Sequence, residues 1–537
     1  MPVTDLESPP PAGSPSTERP LGELALALSG GGYRAATFHL GVLRFLQRVA
    51  LLDSVTALST VSGGSIVGCA WTLSRMKKEP FAAFDARFSA YLQKTNVIRE
   101  SLHTLKKRRR HWHRSTPSLI DSAARVYARP DFLGDRRFGE LLKEEPFPFR
   151  EVIFNTTEFD TGLDFRFRRS DQPGVVMGNG NLPLPRSVAE HVRLADIVAA
   201  SSCFPGGFEP LDFPEDFHWP KDFPLKQVCD ALPKSFTPPA SDRPSLPLMD
   251  GGVYDNQGVD SLVLAFKKDP TPPTLLISDV SARQRPLYSF PKESSPGWLT
   301  LRGLTWLGRG LFLSALVSLA VLFTHAWKTV RSEGWQWEDY ALYLVPGLFC
   351  LGVAGSLVWS SVLLRQVQER VRQEVQVDNI WNDLRKLTVR EAIGLVELRI
   401  TSLLALTASV FMKRIRDLVQ SSVYKDAKYR GRRVDNLIYD LQDAPKGLCE
   451  KHPWLLPSPG LVSLSRQAEE YPTTLWLDAP GKDLDLLTRA GEATTCFNLL
   501  KHLLEDRAEQ VGTAGSAEQR IFERLKQEWE KFKASNP

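Results

Sequence analysis

The chain has 537 residues, 42% of them hydrophobic and 24% charged, with a formal net charge of +5. That length leaves room for two or three domains, and the composition is globular rather than fibrous or broadly disordered. So small a charge excess gives no general case for a nucleic-acid partner, and six scattered cysteines without CxxC spacing argue against a disulfide scaffold, a zinc site or a redox motif.

In chain order, residues 1–20 carry Pro, Ser and Glu but no apolar stretch, which predicts a disordered tail and not a signal peptide. Leu24–Leu28 reads as a buried strand that runs into Ser29-Gly30-Gly31-Gly32-Tyr33-Arg34, and an apolar helical pattern follows through Phe38, Val42, Phe45 and Leu46. A glycine-rich loop between strand and helix presents bare N–H groups to an anion. A phosphate loop would end in Gly-Lys-Ser/Thr, and none is present. A dinucleotide loop would want an acid at the end of a second strand, whereas Asp53 precedes its strand. An oxyanion hole fits better, with Gly30, Gly31 and Gly32 as donors. His39, on the helix behind the loop, reads as structural.

Val55–Val61 is a β-branched run that meets Ser62 and then Gly63-Gly64, with a helical pattern beginning near Ser65. A serine wedged between small residues at a strand-to-helix turn is the form of a nucleophile elbow, and the same letters also occur in plain turns. Residues 100–130 read as a basic, irregular insertion whose densest part is Lys106-Lys107-Arg108-Arg109-Arg110-His111-Trp112-His113-Arg114. That cluster suits either a solvated loop or contact with anionic lipid headgroups, with Trp112 at the interface, and RNA binding comes a distant third because no other aromatic platform accompanies it. Residues 210–245 read as a long surface loop of the kind that covers a site. Leu246–Asp250 sets a carboxylate at a strand end before Gly251 and Gly252, which is either a turn or a base that takes a serine proton directly. No histidine sits in a loop like that of a triad member, so Ser62 and Asp250 read as a dyad. Thr274–Val280 is a further core strand.

Glycine-rich loop, serine elbow and Asp-Gly-Gly, in that order, resemble the patatin-like phospholipase family over roughly residues 21–285. Val152–Gly162 is similar to its central strand, and Ala199–Phe208 to its Ala-Ser…Pro segment near the active site. The resemblance implies a three-layer α/β/α fold around a central, mostly parallel sheet. It puts the nucleophile at Ser62, the dyad aspartate at Asp250 and the oxyanion loop at Ser29–Arg34, which includes Tyr33 and Arg34. It implies no metal and no cofactor. Thr60 stands where the family's Gly-x-Ser-x-Gly opens with glycine, and is expected to crowd the elbow.

Gly310–Trp327 and Tyr340–Leu364 contain no charged residue. The second is long enough for a bilayer core of about 30 Å and the first just long enough, with room to tilt or extend back past Arg309, which predicts an inserted transmembrane hairpin over the alternative of two very apolar core helices. Arg302, Arg309, Arg365, Arg370 and Arg372 on the outer flanks put those flanks, and the catalytic part, in the cytoplasm. Ile400–Met412, too short to span, reads as a core helix, and Val434–Leu441 resembles the helical tail of bacterial patatin-like chains. The expected divisions are a tail over 1–20, a catalytic domain over 21–300, the hairpin over 301–365 and a helical region over 366–537 that completes or caps the catalytic domain. The expected function is a lipid acyl hydrolase anchored in a bacterial inner membrane, acting on membrane lipids. A lipid acyltransferase would use the same residues, whereas a non-catalytic membrane scaffold would be marked by loss of the serine or the aspartate, and both are present. Oligomeric state, headgroup and chain length are not written in the residues.

Overall fold

Period-two patterning sorts the first strand between two cores. In Leu24–Leu28 the three leucines join a large core on one face of the sheet, while Ala25 and Ala27 join a smaller one on the other. The structure is a computed structural model that describes residues 19–108, 118–143, 146–237, 244–283, 300–333, 386–406 and 412–537, with scattered positions between 345 and 362. Its described strands are β1 (Leu24–Leu28), β2 (Val55–Val61), β3 (Glu151–Glu158), β4 (Asp164–Ser170), β5 (Met177–Gly178), β6 (Pro183–Leu184), β7 (Leu211–Phe213), β8 (Leu246–Asp250), β9 (Thr274–Asp279) and β10 (Arg433–Leu437). They form one sheet in the order β10-β9-β1-β2-β3-β4-β5-β6, parallel from β10 to β3 and antiparallel from there outward.

β8 occupies an unusual lane. β4 already fills one edge of β3 through Thr157, so β8, which pairs antiparallel with Thr156–Glu158, must lie on the β2 side. Val61 pairs with Asn155 and Asp250 with Thr156. The end of β2 and the end of β8 therefore meet head to head along one edge of β3. β7 pairs with the outer edge of β8.

Helices cover both faces. On the larger side, α1 (Gly32–Arg48) packs under the Pro480–Asp506 helix and beside α2 (Gly63–Met76). The crossing is close because a glycine stands on each side. A Cβ on Gly41 would lie 2.1 Å from Thr488 O, and one on Gly491 would lie 2.2 Å from Phe38 O. On the smaller side, the Val259–Ala265 helix packs with Val423 and Tyr429 beneath β1, β2 and β9.

The chain divides into two compact units, one of residues 1–285 with 410–537 and one of residues 286–409. The second contains the Leu301–Glu333 helix and the Val389–Ala405 helix, the latter opened by a capping box between Thr388 and Glu391. Within the first of these helices, Trp306–Thr329 is long and apolar enough to cross a membrane, and it is the one such helix among the described residues. Its apolar side chains face outward, with Val317 62% and Phe323 67% exposed. The second predicted span, Tyr340–Leu364, lies mostly outside the described residues, so a hairpin is not shown.

Four expectations change. The insertion at 100–130 is not irregular where it is described: Val97–Arg108 and Leu119–Tyr127 are helices, and Ile120, Ala123 and Tyr127 are fully buried in the core. The 210–245 segment is no loose loop, because Leu211 and Phe213 of β7 and Val228 are buried and hold it to the body. Ile400 and Leu403 are 53% and 60% exposed, so the apolar stretch at 400 is not a core helix where it is described. The C-terminal region is not all helical either. Its Arg433–Leu437 segment adds a parallel edge strand to β9, because alternate residues Val434 and Asn436 point inward. Residues 1–18 of the predicted tail, and Arg109–Arg114 of the basic cluster, lie outside the described residues.

Candidate active site

At the end of β2 the chain reverses into α2 through Ser62, whose φ of 52° and ψ of −118° are unusual for a residue with a side chain. Such a turn survives only where its surroundings over-determine it. Gly63 passes so close to the glycine loop that a Cβ there would lie 2.1 Å from Gly32 O, and Gly64 donates its N–H to Ser29 O at 3.1 Å. Thr60 does not crowd this turn. Its hydroxyl lies 2.9 Å from Ser65 Oγ, and its γ-methyl fills the space left by Gly68, where a Cβ would come within 2.5 Å.

The glycine loop lies alongside. Gly31 and Gly32 have φ values of 137° and 59°, which bend the chain so that α1 starts at once. The three predicted donors are not equivalent. Gly30 already gives its N–H to Asn256 O at 3.0 Å, and Tyr33 gives its own to Thr474 O at 2.7 Å. For the N–H groups of Gly31, Gly32 and Gly63 no acceptor is found among the described residues. Gly63, which the sequence pattern marked only for its size, thus joins the candidate donors.

Tyr33 turns away into the core, 6.4 Å ring to ring from Tyr91. Arg34 points back toward the site. Its Nη1 donates to Glu469 O and Tyr471 O at 2.9 and 2.8 Å, while the buried Nε has no partner. Burial pulls its guanidinium down to about 10, against the opposing charges of Asp279 and Glu469. It therefore stays a cation at neutral pH.

Asp250 closes the arrangement from β8. Its Oδ1 accepts the Gly252 N–H at 2.7 Å, its own N–H donates to Cys203 O at 3.0 Å, and its carbonyl accepts from Thr157 Oγ1 at 2.9 Å. Gly251 is forced by the neighbouring strand, since a Cβ there would lie 2.5 Å from Asn155 O. Ser62, Asp250 and Gly30–Gly32 all line one cavity of about 300 Å³, with Arg34, Phe204 and Leu475 in its wall. Ser62 and Asp250 are each 6% exposed.

Among the described residues no histidine lines this cavity. His39 is fully buried, with Nδ1 3.0 Å from Ser278 Oγ and Nε2 3.1 Å from Ser29 O, and burial lowers it to about 4, so it is neutral above that pH. Among the described residues no cluster of three or more His, Cys, Asp or Glu is arranged as a metal site. In the basic cluster, Lys106, Lys107 and Arg108 end the Val97–Arg108 helix, while Arg109 and Arg110 fall outside the described residues.

Two parts of the site carry no readable mark in the residues. Thr473 and Leu475 line the cavity from far down the chain, in a stretch with no motif. Ser201 reaches the elbow from the Ala-Ser…Pro segment, whose letters pointed to the neighbourhood but not to a contact.

The family model described as patatin-like phospholipase matches residues 26–263. No curated protein matches the chain. Among solved structures, human GIVD cytosolic phospholipase A2 is similar at 15% identity and a TM-score of 0.30, covering 49% of this chain and 43% of that one. Its complex with methyl gamma-linolenyl fluorophosphonate and terbium chloride gives 18% identity, a TM-score of 0.31 and coverage of 49% and 41%. The chain thus spans less than half the length of these structures.

Proposed function

Residues 26–263 form a patatin-like phospholipase domain, and from that premise we propose that the chain is a membrane-anchored lipid acyl hydrolase working through Ser62 and Asp250. At the family level the domain is one of lipid-hydrolysing esterases. The observation that carries the finer reading is the head-to-head meeting of β2 and β8, which brings a strained serine and a carboxylate into one cavity beside unpaired amides.

In this reading Ser62 Oγ attacks the ester carbonyl as Asp250 takes its proton. The carbonyl oxygen becomes an oxyanion and is held by the N–H groups of Gly31, Gly32 and Gly63, aided by the N-terminal end of α2. Collapse expels the alcohol, which leaves with the proton from Asp250, and an acyl-Ser62 ester remains. Water then gives a proton to Asp250 and attacks the acyl carbon. The fatty acid departs and Ser62 recovers its proton. A carboxylate is a weak base, so the oxyanion donors must carry much of the stabilisation. The cavity wall of Phe204, Pro205, Val253 and Leu475 suits an apolar acyl chain.

The exposed apolar Trp306–Thr329 helix supports anchoring, and with Tyr340–Leu364 it would make a two-span hairpin. Lys106, Lys107, Arg108, Arg109 and Arg110 would then add contact with anionic lipid. The test is direct. Ser62→Ala and Asp250→Ala should each abolish ester hydrolysis, and the double variant should be no worse than either single, because the two act as a unit. A fluorophosphonate should label Ser62 in the folded protein. Full activity in Ser62→Ala would refute the mechanism, and folded protein that resists labelling would favour a lipid-binding scaffold.

A further inference from the structure

Ser201 is the last residue of the Leu194–Ser201 helix and is fully buried. Its hydroxyl has one proton and two acceptor positions. The proton must go to Asn155 O, at 2.7 Å, because a carbonyl can only accept. Ser65 Oγ, 2.8 Å away, is therefore the donor in its contact with Ser201. The remaining acceptor position takes the backbone N–H of Ser62 at 3.0 Å. Every direction in this small network is fixed by elimination.

That last bond is the notable one. With its φ of 52°, Ser62 has left the β2 ladder and has not joined the α2 ladder. Ser201 Oγ is the acceptor that its N–H finds among the described residues. Two residues on, Cys203 O accepts the N–H of Asp250 at 3.0 Å. Ser201 is also tied through Asn155 O to β3, the strand along which β2 and β8 meet.

We infer that Ser201–Cys203 is a staple that sets the separation of Ser62 and Asp250, with Ser201 as a positioning residue for the elbow. The inference rests on the reading of Ser62 as nucleophile. Removing the Ser201 hydroxyl leaves a buried N–H without an acceptor, and the elbow relieves this by tilting. Displacing a reacting atom by about 1 Å costs about 10²-fold in rate while substrate contacts persist.

The experiment uses the full chain and a soluble short-chain ester, with kcat, KM and the fluorophosphonate labelling rate measured alongside Tm. Ser201→Ala should lower kcat and the labelling rate about 10- to 100-fold and leave KM within about threefold. Ser201→Thr, which keeps the oxygen, should recover most of the rate. Ser65→Ala deletes a hydroxyl from the same network but spares the Ser62 N–H bond, so its kcat should fall no more than about threefold. If Ser201→Ala does not fold, Ser201→Cys, with a weaker acceptor, should give an intermediate kcat. Wild-type kcat in Ser201→Ala or Ser201→Cys, or equal losses in Ser201→Ala and Ser65→Ala at matched Tm, would overturn the staple. An active Ser62→Ala would instead overturn the nucleophile itself, so the two failures are told apart.

Discussion

At the scale of single residues, the site is held by close backbone approach. A methyl group added at Gly63 would meet Gly32 O at 2.1 Å, and that oxygen belongs to main chain, which cannot swing aside. Gly63→Ala should therefore push the two loops apart, lowering stability by about 1–3 kcal/mol and kcat at least tenfold, as read by thermal melts and ester hydrolysis. Gly481→Ala is the control, because open space surrounds that position. It should keep full activity and gain up to about 1 kcal/mol from the stiffer unfolded chain. Gly63, Ser62 and Asp250 stood out as candidates in the sequence because each stands in a local pattern of strand, turn and helix. Ser201 was not, because its bond to Ser62 spans 139 positions and any buried serine would look the same. The commitment of the Gly30 N–H to Asn256 was equally invisible, since a backbone group has no letter of its own.

At the scale of elements, the segment after β8 shows how a turn can carry a charge at a cost. Asp255 is buried, and its two carboxylate oxygens accept the N–H groups of Gln257 and Asp260 at 3.0 and 2.9 Å. Burial nonetheless raises it to about 6 from an ordinary 3.8, so the folded state holds its proton more tightly than the unfolded chain. The ionised group thus costs stability above pH 6, and the cost fades as the pH falls toward 4. Asp255→Asn has no such titration. Its loss of stability relative to wild type should be larger at pH 4.5 than at pH 7.5, and a melting difference that does not change with pH would contradict this. The strands β1 and β9 were readable because continuous apolar runs imply burial on both faces, β2 and β8 because each runs into a small-residue turn, and β3 only through its likeness to the family's central strand. β10 was not, because Arg433, Asp435 and Leu437 alternate with only two inward residues at a sheet edge, a weak signal beside the helices around it. The helix of Leu119–Tyr127 was hidden by the basic residues before it, which drew attention to charge and away from Ile120, Ala123 and Tyr127.

At the scale of the whole molecule, the family match ends at residue 263, but the compact unit does not. α1 is covered by the Pro480–Asp506 helix, Arg34 is held by Glu469 and Tyr471, and Thr473 and Leu475 line the cavity. A chain cut after residue 445 should therefore lose α1's cover and give no folded, active protein, as judged by limited proteolysis and ester hydrolysis. Full activity in that fragment would mean the C-terminal region is an accessory. The proposed anchor makes a separate claim. The full chain should need detergent for extraction, and reporters at the N-terminus, near Glu333 and at the C-terminus should read in, out, in. A cytoplasmic reading near Glu333 would rule out the hairpin.

The discontinuity of the first unit also sets an order of events during translation. The ribosome makes the serine elbow early, the apolar Leu301–Glu333 helix next, and the wall and cover of the cavity last. While the apolar helix is leaving the exit tunnel, α1 still lacks its partner, and the pocket has neither Thr473 nor Leu475. A chain of this design is born incomplete. Under the proposed function, its nascent form would have no finished site with which to attack lipids, and would become competent only after the helix proposed to hold it at a bilayer has been synthesised.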